Sequence, residues 1–525
     1  MIHKYINRKF AYFIFKGYRV FKKNNFLENY YQAELDIEDH VSSLRINNSN
    51  LLNNKKFIFN QFFVRFLLSR RLKVTYLFFL GLGYNLIIPA PLQWLKILRK
   101  NNIRVNVSFS IISFFFLFLI FLLRSVILLL FYLFKNYKSK IQSNNYDVLV
   151  NITSSDYLPH NLNKNLNIVD YITKEFAVDN DIYHRIENYN SEYSMNKIFF
   201  TENFFPIKFL DKLNVFIEIL KNFSISLIKL TTLNYYNIFL FKETIEYYQV
   251  KKFHKKNNLA KNYFFILNET AFRPLWSYYA ESKGSNIVFI NYASGFYGLK
   301  DIKNNNYPLQ VGLGLKCMTW PKYVVDKKNY FNFLNETYPD QSFYLSSSPI
   351  DINDCGAILP HFDKNKFTIG LFDVTPIRKF RRMLLLPQDN FRTSELCIKF
   401  LSDLSEIKDK LKLQILYKKK RSNIKGVVCK RYSNFVNTTS FINVDSCISA
   451  ARVAANCDLL ICTPFTTAAF NPNRQGYINT IFYSPLNLVD RYDRATQSLQ
   501  VIIGKSELEE CILKKLNNYH QNLLD

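Results

Sequence analysis

Between residues 366 and 485 the chain alternates short apolar runs with stretches of helical periodicity, and few folds accommodate that alternation. Residues 366–376 read as a strand ending in Asp373, with Thr375 and Pro376 breaking it. Residues 393–404 place apolar side chains at helical spacing behind a Thr-Ser-Glu start. Residues 413–417 form a second strand that runs into Lys418, Lys419, Lys420 and Arg421. A short segment at 443–445, a small-residue helix at 447–455, an apolar strand at 457–462 and another strand at 479–485 complete the pattern. Strands separated by helices pair in parallel, and a parallel sheet is covered by helices on both faces. Ligands of such sheets lie beyond the carboxyl ends of the strands. Asp373, Thr375, the cations at 418–421 and the turn Thr463-Pro464-Phe465-Thr466-Thr467 all fall at those ends, so the topology gathers them.

A strand that empties into a hydroxylated turn at a helix start offers backbone N–H groups and hydroxyls to phosphate oxygens. Turns of this composition also serve for capping alone. Lys418, Lys419 and Arg421 would neutralise a phosphate, lysine as a point charge and arginine as a planar fork. A second βαβ pattern lies upstream. Residues 263–268 read as a strand followed by Glu269. Residues 273–283 read as a helix with Pro274 in its first turn and Gly284 closing it, and 286–294 as the next strand. Residues 146–153 read as the first strand of this region. Asp179-Asn180-Asp181 has the bare spacing of a metal–nucleotide motif but reads as an exposed loop. Residues 77–91, with Gly81 and Gly83, lack the third glycine of a dinucleotide fingerprint and read as a turn region. The expected architecture is α/β: two Rossmann-like lobes behind a helical, apolar N-terminal region. The boundaries are 1–140, 141–345 and 346–525, with a hinge in the turn-rich 346–360.

The order Gly370–Pro376, Tyr417–Arg421, Cys457-Asp458, Pro464–Ala468, Phe482–Pro485 resembles the bacterial polysaccharide-biosynthesis proteins named for a PFTS motif. It is also similar in layout to the donor domain of GT-B glycosyltransferases. The likeness covers roughly the last third of the chain. Thr467 stands where the family's name has Ser, which keeps the hydroxyl; Asn479 and Ser484 stand where Pro and Asp are expected. The resemblance implies transfer of a sugar from a nucleotide donor to a glycan or lipid-linked acceptor during O-antigen or capsule assembly. The nucleotide sugar would be a co-substrate bound by Asp373, Thr375, Lys418, Lys419, Arg421 and the 463–467 turn, with no further cofactor and no metal. In such a layout Glu269 is the candidate base on the acceptor hydroxyl, although a helix-start carboxylate can also serve the dipole alone. His361, at the lobe junction, is a second candidate. A non-hydrolysing sugar-nucleotide epimerase and a non-catalytic scaffold of a glycan-assembly complex are the alternatives.

Composition narrows the partners. The 525 residues carry a formal net charge of +28, which favours nucleic acid, anionic lipid or phosphorylated substrates. No zinc-finger, RNA-recognition or helix-turn-helix pattern is present, so nucleic acid is set aside. The eight cysteines form no CxxC pair and all lie from Cys317 onward; they read as small buried apolar residues in a reducing compartment. Residues 1–18 mix Lys and Arg with apolar residues and lack the apolar core of a signal peptide.

Residues 107–134 are apolar apart from a few Ser and Arg124. A helix of this length exceeds the roughly 30 Å hydrocarbon core of a bilayer. A membrane span would hold Arg124 near mid-depth, at about 2–3 kcal/mol on insertion scales. A buried core helix and an interfacial or re-entrant anchor, flanked by Arg99, Lys100, Arg104, Lys135, Lys138 and Lys140, are the other two readings. The expectation is peripheral or monotopic association with the cytoplasmic face of the inner membrane.

Overall fold

The computed structural model describes residues 12–44 in part, 55, 57–60, 70–134, 146–150, 167–177, 181–185, 194–228 in part, 235–266, 273–291, 319–347 with short gaps, 357–376 except 375, 393–419, 430–469 with breaks at 447, 465 and 467–468, 479–487 and 499–522. Four helices come first: α1 (Phe26–Ser43), α2 (Arg70–Leu82), α3 (Leu92–Lys100) and α4 (Val107–Phe134). Then follow β1 (Tyr146–Val150), α5 (Asn167–Phe176), β2 (Asp181–Arg185), β3 (Ser194–Met195) and β4 (Ile198–Thr201). Helices α6 (Phe209–Ile228), α7 (Tyr236–Phe239) and α8 (Phe241–His254) precede β5 (Asn262–Ile266), α9 (Leu275–Ser282) and β6 (Asn286–Asn291). β7 (Lys322–Val325), α10 (Lys328–Thr337) and β8 (Phe343–Leu345) follow. The rest is β9 (Thr368–Phe372), α11 (Ser394–Leu411), β10 (Gln414–Lys418), α12 (Lys430–Thr438), β11 (Ile442–Val444), α13 (Ala450–Ala454), β12 (Leu459–Cys462), β13 (Asn479–Ser484), β14 (Gln500–Ile503) and α14 (Lys505–Asn522).

Two sheets organise these elements, as the α/β reading with a helical, apolar N-terminal region requires. The first has the order β3-β4-β2-β1-β5-β6-β7-β8. Its β4, β2, β1, β5 and β6 run parallel, and β3 is antiparallel to β4. β1 is buried at every position, Asp147 included, and β5 is an unbroken buried apolar run from Tyr263 to Ile266, as in a strand covered on both faces. The second sheet, β11-β10-β9-β12-β13-β14, is parallel throughout. Counted within its own lobe this is the 3-2-1-4-5-6 order of a doubly wound dinucleotide-type fold, reversing direction between β9 and β12. By Cα proximity the chain forms two compact units: residues 1–153, 180–290 and 312–323, and residues 154–179, 291–311 and 324–525.

Local signals explain most boundaries. Thr393 is the N-cap of α11, its Oγ1 accepting from the Leu396 amide at 3.2 Å. Ser449 caps α13 by accepting from the Arg452 amide at 3.1 Å. Pro274 directly precedes α9, and Gly284 (φ +93°) follows its end. α4 occupies the whole apolar run predicted for it.

Two expectations change. Asp181 opens β2 and pairs with Tyr146 on β1, so the last residue of the Asp179–Asp181 triplet is strand rather than loop; Asp179 and Asn180 lie outside the described residues. Gly81 sits in helix α2, not in a turn. A Cβ on it would overlap the Phe13 carbonyl oxygen, and one on Gly17 the Leu77 carbonyl oxygen, so the two glycines mark a close helix crossing. The turn falls two residues later, at Gly83 with φ +83°.

Candidate functional site

The carboxyl ends of β10, β9 and β12 are level. Phe372 on β9 stands opposite Lys418 on β10 and Cys462 on β12. The next residues, Lys419, Asp373 and Thr463, are therefore lateral neighbours, one strand spacing of about 4.8 Å apart. The Thr463 amide donates to the Phe372 carbonyl at 3.0 Å, extending that ladder by one rung. Asp373 and Thr463 flank the reversal of strand order, the position where open α/β sheets leave a crevice for ligands.

Each side chain there has a distinct environment. Tyr417 shares a sheet face with Leu371, opposite it, and hence with Asp373 two residues on. Its hydroxyl donates to Asp373 Oδ2 at 2.7 Å and is also hydrogen-bonded to the Tyr432 hydroxyl from α12. Burial, then the adjacent carboxylate, pushes the Tyr417 phenol well above its ordinary range. Asp373 is 1% exposed, so it braces the loop from inside the lobe and presents almost no surface to a ligand. Lys418 alternates to the opposite face and is buried, its Nζ donating to the Ser446 carbonyl at 2.9 Å beyond the end of β11. Lys419, the first residue past the strand, is half-buried.

The threonines build the turn. Thr466 Oγ1 donates to the Thr463 carbonyl at 2.8 Å, and the two hydroxyl oxygens are 2.9 Å apart. A hydroxyl has one proton, so Thr463 Oγ1 is the donor to Thr466 Oγ1. The Thr466 amide donates to the Thr463 carbonyl at 3.2 Å, and the Ala469 amide to the Thr466 carbonyl at 3.0 Å. Both threonines are buried. In this arrangement neither hydroxyl has a proton left for a phosphate, and the amides of Thr463 and Thr466 are engaged within the lobe. Their contribution is the shape of the loop; Pro464 between them is also buried.

The family model for polysaccharide biosynthesis PFTS motif proteins matches residues 219–512, more than half of the chain, and includes this entire sheet. The chain belongs to that family.

The PFTS motif is Pro464-Phe465-Thr466-Thr467 in this member, and its turn is the one that follows β12 at the strand-order reversal. No curated protein matches the chain. Among solved structures it is similar to the wall teichoic acid polymerase TagF, with 12% identity, a TM-score of 0.38, and 77% of this chain and 92% of that one covered. It is also similar to a UDP-GlcNAc 2-epimerase from Neisseria meningitidis bound to UDP-GlcNAc, with 8% identity, a TM-score of 0.35, and coverage of 70% and 90%. A third is the glycotransferase of kitacinnamycin, with 8% identity, a TM-score of 0.35, and coverage of 71% and 90%.

Of the other predicted residues, Glu269, Thr375, Arg421, Phe465 and Thr467 lie outside the described residues. His361 is exposed and precedes β9, toward the amino-terminal edge of the strands. Two residues on, the Asp363 amide donates to Gln414 Oε1 at 2.9 Å, and Gln414 begins β10. Four residue steps, about 13 Å, separate that edge from Lys418. The sheet therefore brings Asp373, Lys418, Lys419, Thr463, Pro464 and Thr466 together and leaves His361 apart. Tyr417, Tyr432 and the Ser446 carbonyl are partners that sequence reasoning missed. Strand alternation carried one usable signal: with β9 and β10 in register, a Tyr two residues before Lys419 faces the same side as Asp373.

Proposed function

We propose that this PFTS family member is a nucleotide-sugar-dependent glycosyltransferase that extends a glycan or lipid-linked acceptor during surface-polysaccharide assembly, at the cytoplasmic face of the inner membrane. The observation that carries the reading is the family's turn at the β9/β12 reversal, with Lys418 and Lys419 on the neighbouring strand end. A departing nucleotide phosphate needs positive charge held in place before the bond breaks. Lys419 and Arg421 supply it, Lys418 fixes the loop after β11, and the reading calls for no metal. The 463–467 turn, shaped by the Thr463–Thr466 pair, closes the other side of the phosphate position, with the Thr467 hydroxyl as its donor. Glu269, three residues beyond β5, takes the proton from the acceptor hydroxyl.

Thermal-shift titration against UDP-, GDP- and CMP-sugars tests donor binding, since a ligand of the folded state raises apparent stability by mass action. Lys419→Ala weakens the active donor by about 10–100-fold, the loss expected for one hydrogen bond to a charged group of 1.5–3 kcal/mol. Glu269→Gln leaves donor binding within twofold while transfer of labelled sugar to lipid-linked material falls at least 100-fold. No shift with any nucleotide sugar would sink the enzymatic reading in favour of a scaffold. Conversion of the donor to its epimer without transfer would favour the epimerase.

A further inference from the structure

The apolar helix α4 is not alone. Its inward side carries Ser110, Phe118, Ser125, Leu129 and Tyr132, all buried, and includes both of its buried polar side chains. Ser110 Oγ accepts from the Ile88 amide at 3.1 Å, and Ser125 Oγ donates to the Phe121 carbonyl at 2.7 Å. The outward side is the reverse of a soluble helix: Phe109, Phe116, Ile120, Leu123, Leu130 and Phe131 are each more than half exposed. That row spans about 33 Å at 1.5 Å per residue. Near its end, Leu129 and Tyr132 pack with Val215 and Ile219 of α6 in one cluster. Helix α6 has three sides. Val215 and Ile219 face the protein, Asn214, Glu218 and Lys221 are exposed and polar, and Phe209, Leu210, Leu213, Ile217 and Leu220 form a second exposed apolar stripe, 37–73% accessible.

We propose that α4 and α6 together form one docking face that lies on an anionic bilayer, with α4 along the membrane plane. Charge selects the occupant. Residues 40–146, which contain α4, carry fifteen Lys and Arg and no Asp or Glu. Lys96, Arg99, Lys100 and Arg104 are exposed just before α4, Arg124 is exposed on it, and Lys208 is exposed just before α6. A basic apolar face suits anionic headgroups over acyl chains. A second copy of the chain would set like charges against each other across a twofold axis. Packing selects the orientation. The buried row runs the length of α4, against Phe239, whose ring centroid is 6.3 Å from that of Phe118, and, in the cluster shared with α6, against Phe241, Ile245 and Tyr248 of α8. A crossing α4 would draw α8, with Lys242, Glu243 and Glu246, into hydrocarbon. This face deepens the membrane placement proposed above and is independent of the reaction, because vesicle binding needs no donor sugar.

The test is flotation of the full chain with phosphatidylcholine vesicles containing or lacking phosphatidylglycerol. Ile217→Asp in α6 and Phe116→Asp in α4 each reduce flotation on anionic vesicles at least fivefold. Asn214→Asp, the same change of charge on the polar side of α6, stays within twofold of wild type with an equal melting temperature. Flotation of Ile217→Asp at the wild-type level, with Phe116→Asp lost, would mean that α4 anchors alone and would overturn the two-helix face. If Ile217→Asp instead dissociates an oligomer without changing flotation, the stripe is a contact between copies and the proposal falls. An environment-sensitive amino acid at position 109, 120 or 131 reports the same shallow depth at all three under quenching by brominated lipids. A graded depth passing through the bilayer centre would show a crossing helix and defeat the in-plane orientation.

Discussion

Single side chains hold the loops after β9 and β10 in position, and the Tyr432–Tyr417–Asp373 chain is the clearest case. A buried carboxylate without its phenol donor bears a desolvation penalty that its other contacts offset only in part. Tyr417→Phe therefore destabilises the protein by about 1–3 kcal/mol, read from urea unfolding. A double-mutant cycle with Asp373→Asn gives a non-zero coupling for the pair, and independent effects would contradict the direct bond. Lys55 makes the opposite kind of case. It is buried, its Nζ donating to Asn237 Oδ1 of α7 at 3.2 Å, and burial lowers its pKa from 10.5 to about 8. Below pH 8 the folded and unfolded chains both hold the proton, and the folded state bears the cost of a buried charge. Between pH 8 and 10.5 the unfolded chain binds more protons, so stability rises with pH. Lys55→Met thus stabilises by about 3 kcal/mol at pH 7, at 1.36 kcal/mol per pKa unit. That advantage shrinks as pH climbs from 8 toward 10.5; a difference independent of pH would show that Lys55 is not desolvated.

At the scale of elements, close approach of backbone decides what can change. The α2 residue Gly81 and the helical residue Gly17 touch through main chain, and a carbonyl oxygen cannot swing aside as a side chain does. Gly81→Val costs about 1–3 kcal/mol in thermal unfolding and speeds proteolysis within residues 12–44. Unaltered melting would mean that the crossing is not formed. Gly370 is a sheet counterpart, where a Cβ would meet Leu460 Cδ2 on β12 and Cys457 Sγ just before that strand. Strands β9, β10, β12 and β13 were legible in the sequence because centrally placed parallel strands are built around short apolar runs. α4 was legible by its length, and α9 by Pro274 and Gly284. What could not be read was whatever depends on lateral pairing. The Tyr417–Asp373 bond joins residues 44 positions apart, and the Thr463–Thr466 bond turns two apparent phosphate donors into struts. Helix α6 escaped notice for a related reason. Its two apolar sides are equivalent in sequence, and only packing tells which one the protein covers.

On the scale of the whole chain, charge and apolar surface are distributed together. More than half of the net charge of +28 lies in residues 40–146, the region that also holds the exposed α4 row. Attraction of such a stretch to an anionic surface is worth about 1 kcal/mol per Lys or Arg near the headgroups. It is screened as the Debye length falls from about 10 Å at 0.1 M salt to about 3 Å at 1 M. Burial of apolar side chains has no such dependence. The two contributions therefore separate in a salt series. Flotation on anionic vesicles declines as NaCl is raised and levels off at the value measured on neutral phosphatidylcholine, where α4 and α6 act through their Phe, Leu and Ile side chains alone. Full release at 1 M NaCl would reduce the association to basic residues and leave the two apolar stripes without a role at the membrane. A salt-independent plateau on both lipids would assign the binding to the stripes and leave the fifteen cations as ordinary solvated surface.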